Sequence, residues 1–250
     1  KSIQIKGNEI HIALSHTLFS TAPYSETRPE LQGVYIHSKN TTTLSFITTD
    51  TYRLSYYSLS LSSPTTVLGN CIIPLQTLTE LQKIISSYIG EPVVISRNET
   101  QIQFTCGSVQ MISKLIHGTF PDYENIVPKN FSTSIILERD ETTKAVRAAS
   151  LFSKGGLYDV LFRIHPKEQG KGEVEILSSN TLLGENSVVL EGEVRGIENS
   201  ILLNYRYLID WLQVIDSEKI MIQIIDATTA CVLRGLGREN EYYLLMPILE

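Results

Sequence analysis

LQTLTELQKIISSY at 75–88 and NYRYLIDWLQVID at 204–216 are the two stretches whose reading decides the fold. In the first, Leu75, Leu78, Leu81, Ile84, Ile85 and Tyr88 recur at the spacing that gathers apolar side chains on one face of a helix. Gln76, Thr79, Glu80, Gln82 and Lys83 fall elsewhere. Pro74 stands just before this stretch, where its missing N–H does no harm. In the second, Tyr205, Leu208, Ile209, Leu212 and Ile215 form the stripe, behind Asn204 as a candidate N-cap. The same amphipathic event thus occurs twice, about 130 positions apart.

What surrounds each helix matches as well. After the first come three alternating segments, VVIS at 93–96, IQFTC at 102–106 and VQMISKL at 109–115, with Gly107-Ser108 as a two-residue hairpin turn. After the second come IMIQII at 220–225, TACVLRG at 229–235 and YYLLMPI at 242–248. Ahead of them, SIQIK and a helix near 9–22 are mirrored by TSIILE and a helix near 141–153. GVYIH and TLSFITT then correspond to DVLFRI and VEILSS. The unit is strand, helix, several strands, helix, three strands, and the chain carries it twice. Two helices among segregated hairpins make the fold class α+β, with each helix pair packed on antiparallel sheet. PDYENIVPKN (121–130) interrupts all periodicity, and the expected domains are 1–124 and 125–250.

Composition narrows the function. No apolar run reaches the roughly 18 residues of a membrane span, which predicts a soluble protein without membrane contact, and the sparse cysteines predict a cytoplasmic one. The net charge is −6, from 21 Lys+Arg against 27 Asp+Glu, so the chain is no simple basic nucleic-acid binder. Cys71, Cys106 and Cys231 lie far apart with no CxxC pair, which predicts reduced core thiols. The five histidines show no metal-binding spacing on a helix, and no nucleophile elbow or phosphate loop occurs; Gly235-Leu236-Gly237 reads as a turn and Glu239/Glu241 as a solvated hairpin tip. No catalytic residue, metal site or cofactor is expected, and the chain is read as a non-enzyme. It begins at Lys1 rather than Met, which reads as a fragment or a processed product.

Four stretches, TRPELQGVYIH (27–37), TTDTYRLS (48–55), KLIHGTFPDYENIVP (114–128) and MPILE (246–250), occur together in the order found in one family. By these stretches the chain resembles the bacterial sliding clamp, the β subunit of DNA polymerase III, over the second and third of that family's three domains; the N-terminal domain is absent. The resemblance implies a DNA-replication processivity factor made of two tandem clamp domains. Two full-length subunits would form a homodimer ring of six such domains around double-stranded DNA, independent of sequence. The polymerase III catalytic subunit, the clamp loader and repair polymerases would dock through short clamp-binding peptides.

The resemblance also implies a peptide pocket between the two domains. Leu31, Thr49, Thr51, Tyr52, Arg53, Leu54 and Pro121 would come from one domain. Ile126, Asn204, Tyr207, Leu244, Met246, Pro247 and Ile248 would come from the other. Alternation after a turn at Thr49-Asp50 would put Tyr52 and Leu54 on one side, with Leu54 and Leu31 as an apolar wall. The position of Tyr52 is commonly His in the family, and the tail closes on Leu249-Glu250 where a basic residue usually precedes the last Leu. Two buried anchors at ~1.5–3 kcal/mol each, less ordering costs, correspond to roughly micromolar binding. Carried over in the same way, Arg28, Lys83, Lys144, Arg147 and Arg206 would face DNA, and Leu151 would lie at the dimer interface. Lacking one interface partner, the fragment alone would stay mainly monomeric. The alternative is a repeat scaffold that binds protein peptides and never encircles DNA.

Overall fold

The computed structural model describes residues 2–38, 40–61, 68–88, 90–153 and 155–249, so the Glu250 end of the tail lies outside the described residues. Its backbone contacts divide the chain into two units, Lys1–Pro121 and Asp122–Glu250.

In the first unit, β1 (Ser2–Lys6) leads into α1 (Gly7–Ser15). Then come β2 (Gly33–His37), β3 (Thr43–Thr49), β4 (Arg53–Ser60) and β5 (Cys71–Pro74). Next, α2 (Leu75–Ser87) precedes β6 (Pro92–Arg97), β7 (Gln101–Cys106) and β8 (Val109–Lys114). The strands order as β1-β6-β7-β8 and as β4-β3-β2-β5, antiparallel throughout. Alternation along β1 sends Ile3 and Ile5 inward, where they join Ile10 and Leu14 of α1, Leu78, Leu81 and Ile85 of α2, and Ile95 and Phe104. The α2 stripe read from the sequence is the face that packs, with Ile84 and Tyr88 at its margin.

The second unit repeats this order: β9 (Thr133–Glu138), α3 (Arg139–Ser150), β10 (Asp159–Pro166), β11 (Lys171–Asn180), β12 (Gly184–Gly196), β13 (Asn199–Asn204), α4 (Tyr205–Val214), β14 (Lys219–Ile224), β15 (Cys231–Gly235) and β16 (Glu241–Leu245). Its strands form a continuous antiparallel series, β13-β10-β11-β12-β9-β14-β15-β16. Asn204 caps α4, its side chain accepting from the amides of Arg206 and Tyr207. The stripe of α4 buries Leu208, Leu212 and Ile215 as expected and adds Trp211, which stacks on Tyr243 with ring centroids 6.1 Å apart.

Several expectations shift. The helix near 9–22 stops at Ser15 and resumes only as a short 3-10 turn at Leu18–Ser20. Thr17 bonds back to the Ala13 carbonyl at 2.7 Å, and Ser20 turns inward to bond Thr48 at 2.6 Å and Ser55 at 2.8 Å. These buried hydroxyls satisfy one another instead of extending the helix. The last strand of the second unit ends at Leu245, not 248, because Pro247 has no N–H to offer a ladder. Glu241 is buried in β16 and is not part of a solvated tip, whereas Gly235-Leu236-Gly237 does turn, with Gly237 at φ 78°. The three cysteines are buried free thiols, and burial pushes Cys71 up to about 11 and Cys231 up to about 12.

The units differ at one strand. β12 runs 13 residues and pairs with β11 along one stretch, then with β9 from Glu193 to Gly196. Gly196 permits the close approach at the end of this pairing: its φ is 108°, and a Cβ there would lie 1.9 Å from the Ser132 carbonyl oxygen. No helix among the described residues is long and apolar enough to cross a membrane. Gly196→Ala is expected to destabilise the protein by roughly 2 kcal/mol or more, through left-handed strain and the clash together. Urea unfolding followed by the fluorescence of Trp211 measures it.

Candidate functional site

The stretch TTDTYRLS forms a tight turn between β3 and β4. Asp50 N donates to the Arg53 carbonyl at 3.3 Å, and Thr51 N donates to Thr49 Oγ1 at 3.1 Å. One carboxylate oxygen, Asp50 Oδ1, accepts from the amides of both Tyr52 and Arg53 at 3.0 Å. The other, Oδ2, takes Arg53 Nε at 2.8 Å, and both side chains of this pair are about nine-tenths buried. Asp and Thr side chains are suited to such turns because they reach their own backbone two or three residues on. Thr51 itself sits at φ 80°, a left-handed conformation that a β-branched residue rarely adopts.

Tyr52 lies in the bend just ahead of β4, whose first residue is Arg53. Tyr52 is 63% exposed, while Leu54 is 2% exposed. Leu31, closing a short 3-10 turn at Pro29–Leu31, is also 2% exposed, and Thr49 is buried at the end of β3. The structure therefore joins Thr49, Thr51, Tyr52, Arg53 and Leu54 in one turn, with only Tyr52 offering apolar surface. Pro121 is half-buried at the end of the first unit.

In the second unit, Ile126 ends a 3-10 turn at Glu124–Ile126 and is 55% exposed. Asn204 is committed to capping α4, and the Tyr207 carbonyl accepts from the Tyr243 hydroxyl at 3.1 Å. Leu244 is buried in β16, Met246 is 43% exposed beyond it, and Pro247 follows. The Ile248 amide donates to the Leu202 carbonyl at 2.8 Å, which ties the tail to β13.

The candidate cations separate by their partners. Arg28 is paired with Glu30 at 3.1 Å and Lys83 with Glu80 at 2.7 Å. The Arg206 guanidinium lies 3.6 Å from the ring centroid of Tyr158. A hydrogen bond to the Tyr205 side chain, foremost, raises its already high pKa. Lys144 and Arg147 are exposed one turn apart on α3 and make no ion pair among the described residues. Leu151, at the C-terminal end of α3, is 71% exposed. Leu182 and Leu183 in the turn between β11 and β12 are exposed too, and that hairpin reaches the α3 end through Asn180 Nδ2 donating to the Ser153 carbonyl at 3.4 Å. Among the described residues, no group of three or more His, Cys, Asp or Glu could hold a metal ion.

Sequence reasoning passed over three supports of this set. An Asp three residues before an Arg is a legible signal for both an amide-capping turn and an ion pair, and Asp50 makes both. Tyr158 and Tyr205, which hold Arg206, left no signal because 158 and 205 meet only in the fold: Tyr205 N donates to the Tyr158 carbonyl.

Comparison with known proteins resolves the family. Residues 4–122 match the model for the DNA polymerase III beta subunit, central domain, and residues 124–249 match that for its C-terminal domain. The chain belongs to the DNA polymerase III beta subunit family. It is 29% identical over 249 residues to the beta sliding clamp of Bacillus subtilis and 28% identical to that of Staphylococcus aureus. In both cases 99% of this chain and 64% of the relative are covered. A crystal structure of the Bacillus subtilis DNA polymerase sliding clamp superposes with a TM-score of 0.92 at 28% identity, covering all of this chain and 64% of that one. The DNA polymerase III subunit beta of Pseudomonas aeruginosa shares the fold, with a TM-score of 0.92 at 23% identity, over 67% of that chain. The chain thus spans about two-thirds of the length of the relatives it matches.

Relieving Thr51 should help the fold. Thr51→Gly removes the side-chain cost of φ 80° and loses part of that gain to the freer unfolded chain, a net stabilisation of about 0.5–1 kcal/mol. Thermal unfolding followed by circular dichroism reads the change.

Proposed function

We propose that the chain supplies the central and C-terminal domains of a DNA sliding clamp, a non-catalytic processivity factor, and that it carries a docking site for short peptides of polymerases, clamp loader and repair proteins. The observation that carries this reading is the match of both units, in order, to the two clamp domain models. In this reading the boundary between the domains falls at 124/125, and the docking candidates include Tyr52, Leu54, Met246 and Ile248. Tyr52, Ile126 and Met246 supply accessible apolar surface. Met246 suits a shared site because its unbranched side chain repacks around different partners. A docking site used in turn by several proteins works best with weak, exchangeable binding.

DNA is retained by topology, so its contacts need only be diffuse. Lys144 and Arg147 are the strongest candidates to face DNA, since Arg28 and Lys83 already have carboxylate partners. Leu151, with Leu182 and Leu183 beside its helix end, offers the apolar face through which a ring would close on the domain that precedes this chain in full-length relatives. The pairing of Arg28 and Lys83 is also what favours the second reading, a peptide-binding scaffold that does not encircle DNA.

Titration of the 250-residue chain with a fluorescent Gln-Leu-Ser-Leu-Phe peptide is expected to saturate at roughly micromolar concentration. Leu54→Asp, which puts a charge at a buried apolar position, should abolish that binding, and absence of saturable binding by the unaltered chain would remove the docking claim. For DNA, the double variant Lys144→Ala/Arg147→Ala is expected to lower the slope of log affinity against log salt by up to about 1.8 in a closed ring that contains this chain. An unchanged slope, together with retention that survives linearising a circular DNA, would favour the scaffold.

A further inference from the structure

Among the polar clusters of the molecule, the turn at 49–53 combines backbone strain, a buried charge pair and an exposed aromatic. Thr51 is held at φ 80°, and left-handed conformations at β-branched residues persist only where the surroundings over-determine them. Here the surroundings are one side chain above all. Asp50 uses Oδ1 to hold the amides of Tyr52 and Arg53, and Oδ2 to hold the Arg53 guanidinium. Thr49 Oγ1 adds a donation to the Arg53 carbonyl at 2.7 Å and an acceptance from the Thr51 amide. Phe19 lies across from Arg53, 5.8 Å from guanidinium carbon to ring centroid. The residue presented by all this is Tyr52, 63% exposed at the turn's tip.

A strained turn closed by a buried ion pair, carrying an outward aromatic, goes beyond what joining β3 to β4 requires. We infer that Asp50 is a positioning residue for peptide docking: its carboxylate keeps the turn in the shape that presents Tyr52, so the site is formed before the peptide arrives. The inference rests on the docking reading above. It also implies that Arg53, already neutralised by Asp50, contributes shape rather than a free positive charge to that site. A preformed site avoids the ordering cost of binding, whereas a turn populated only part of the time reduces apparent affinity by its fractional population.

Loss of positioning therefore appears in the association rate, and loss of a contact in the dissociation rate. Stopped-flow binding of the Gln-Leu-Ser-Leu-Phe peptide to the full chain separates the two. Asp50→Ala is expected to slow association about tenfold and leave dissociation within about twofold, since the bound shape is unchanged. Asp50→Glu keeps the charge near Arg53 but displaces the acceptor from the two amides, and should slow association in the same way. Asp50→Asn keeps the Oδ1 acceptor and should recover association to within about threefold of the unaltered chain. Tyr52→Ala should instead accelerate dissociation. Amide exchange in the free protein should show Tyr52 and Arg53 protected, and unprotected in Asp50→Ala. Wild-type association rates in both Asp50→Ala and Asp50→Glu, or an effect confined to dissociation, would overturn the assignment. A flat titration of the unaltered chain would overturn the docking reading itself, and this assignment with it. If Asp50→Ala fails to unfold cooperatively, the comparison of Asp50→Glu with Asp50→Asn decides the question.

Discussion

One backbone hydrogen bond is made twice in this chain, once at the end of each unit. The Ile116 amide donates to the Ile72 carbonyl at 2.9 Å, and the Ile248 amide donates to the Leu202 carbonyl at 2.8 Å. Each joins the segment after a unit's last strand to the strand that feeds its second helix. Both acceptors lie on strands with buried apolar residues, Ile72 and Ile73 in β5 and Ile201 and Leu203 in β13, where an unmade bond would cost more than the bond contributes. In the second unit the bond holds the tail from Met246 onward against β13, so the exposed methionine sits on an anchored segment.

The helices were the legible part of the fold. Their apolar stripes repeat at helical spacing, and the residues on them are those found buried, from Leu78 and Leu81 to Leu208 and Leu212. Strands buried on one face alternate visibly, as in β1 and β14, whose burial follows the residue-by-residue alternation of their sequences. β12 was not legible, because GENSVVLEGEVRG carries few apolar residues and its outer positions are exposed along most of its length. The end of its pairing with β9 has Gly196 in a conformation and an approach that other residues cannot accept, a property that a lone glycine does not announce.

The candidate site divides along the same line. That TTDTYRLS turns the chain followed from the residue types, yet the contrast in exposure between Tyr52 and Leu54 did not, because Tyr52 sits in the bend ahead of β4 and Leu54 within the strand. The cations were all visible as letters, but their chemistry was decided by neighbours. Glu80 sits one turn from Lys83 and was readable as a partner, while Tyr158 reaches Arg206 only through folding. An aromatic face and a carboxylate leave a guanidinium or ammonium with different remaining capacity for phosphate.

By itself, the sequence determined that two copies of one α+β unit lie in tandem, where their helices fall, and that the chain resembles the clamp family, because hydrophobic period and motif order are properties of the residue string. Tertiary structure alone decided which strands lie side by side, which cations among the described residues lie beside aromatic rings, and that a single aspartate holds a strained turn with its tyrosine outward. Those outcomes depend on distances between residues far apart in the chain and on backbone dihedrals, and neither is encoded in periodicity.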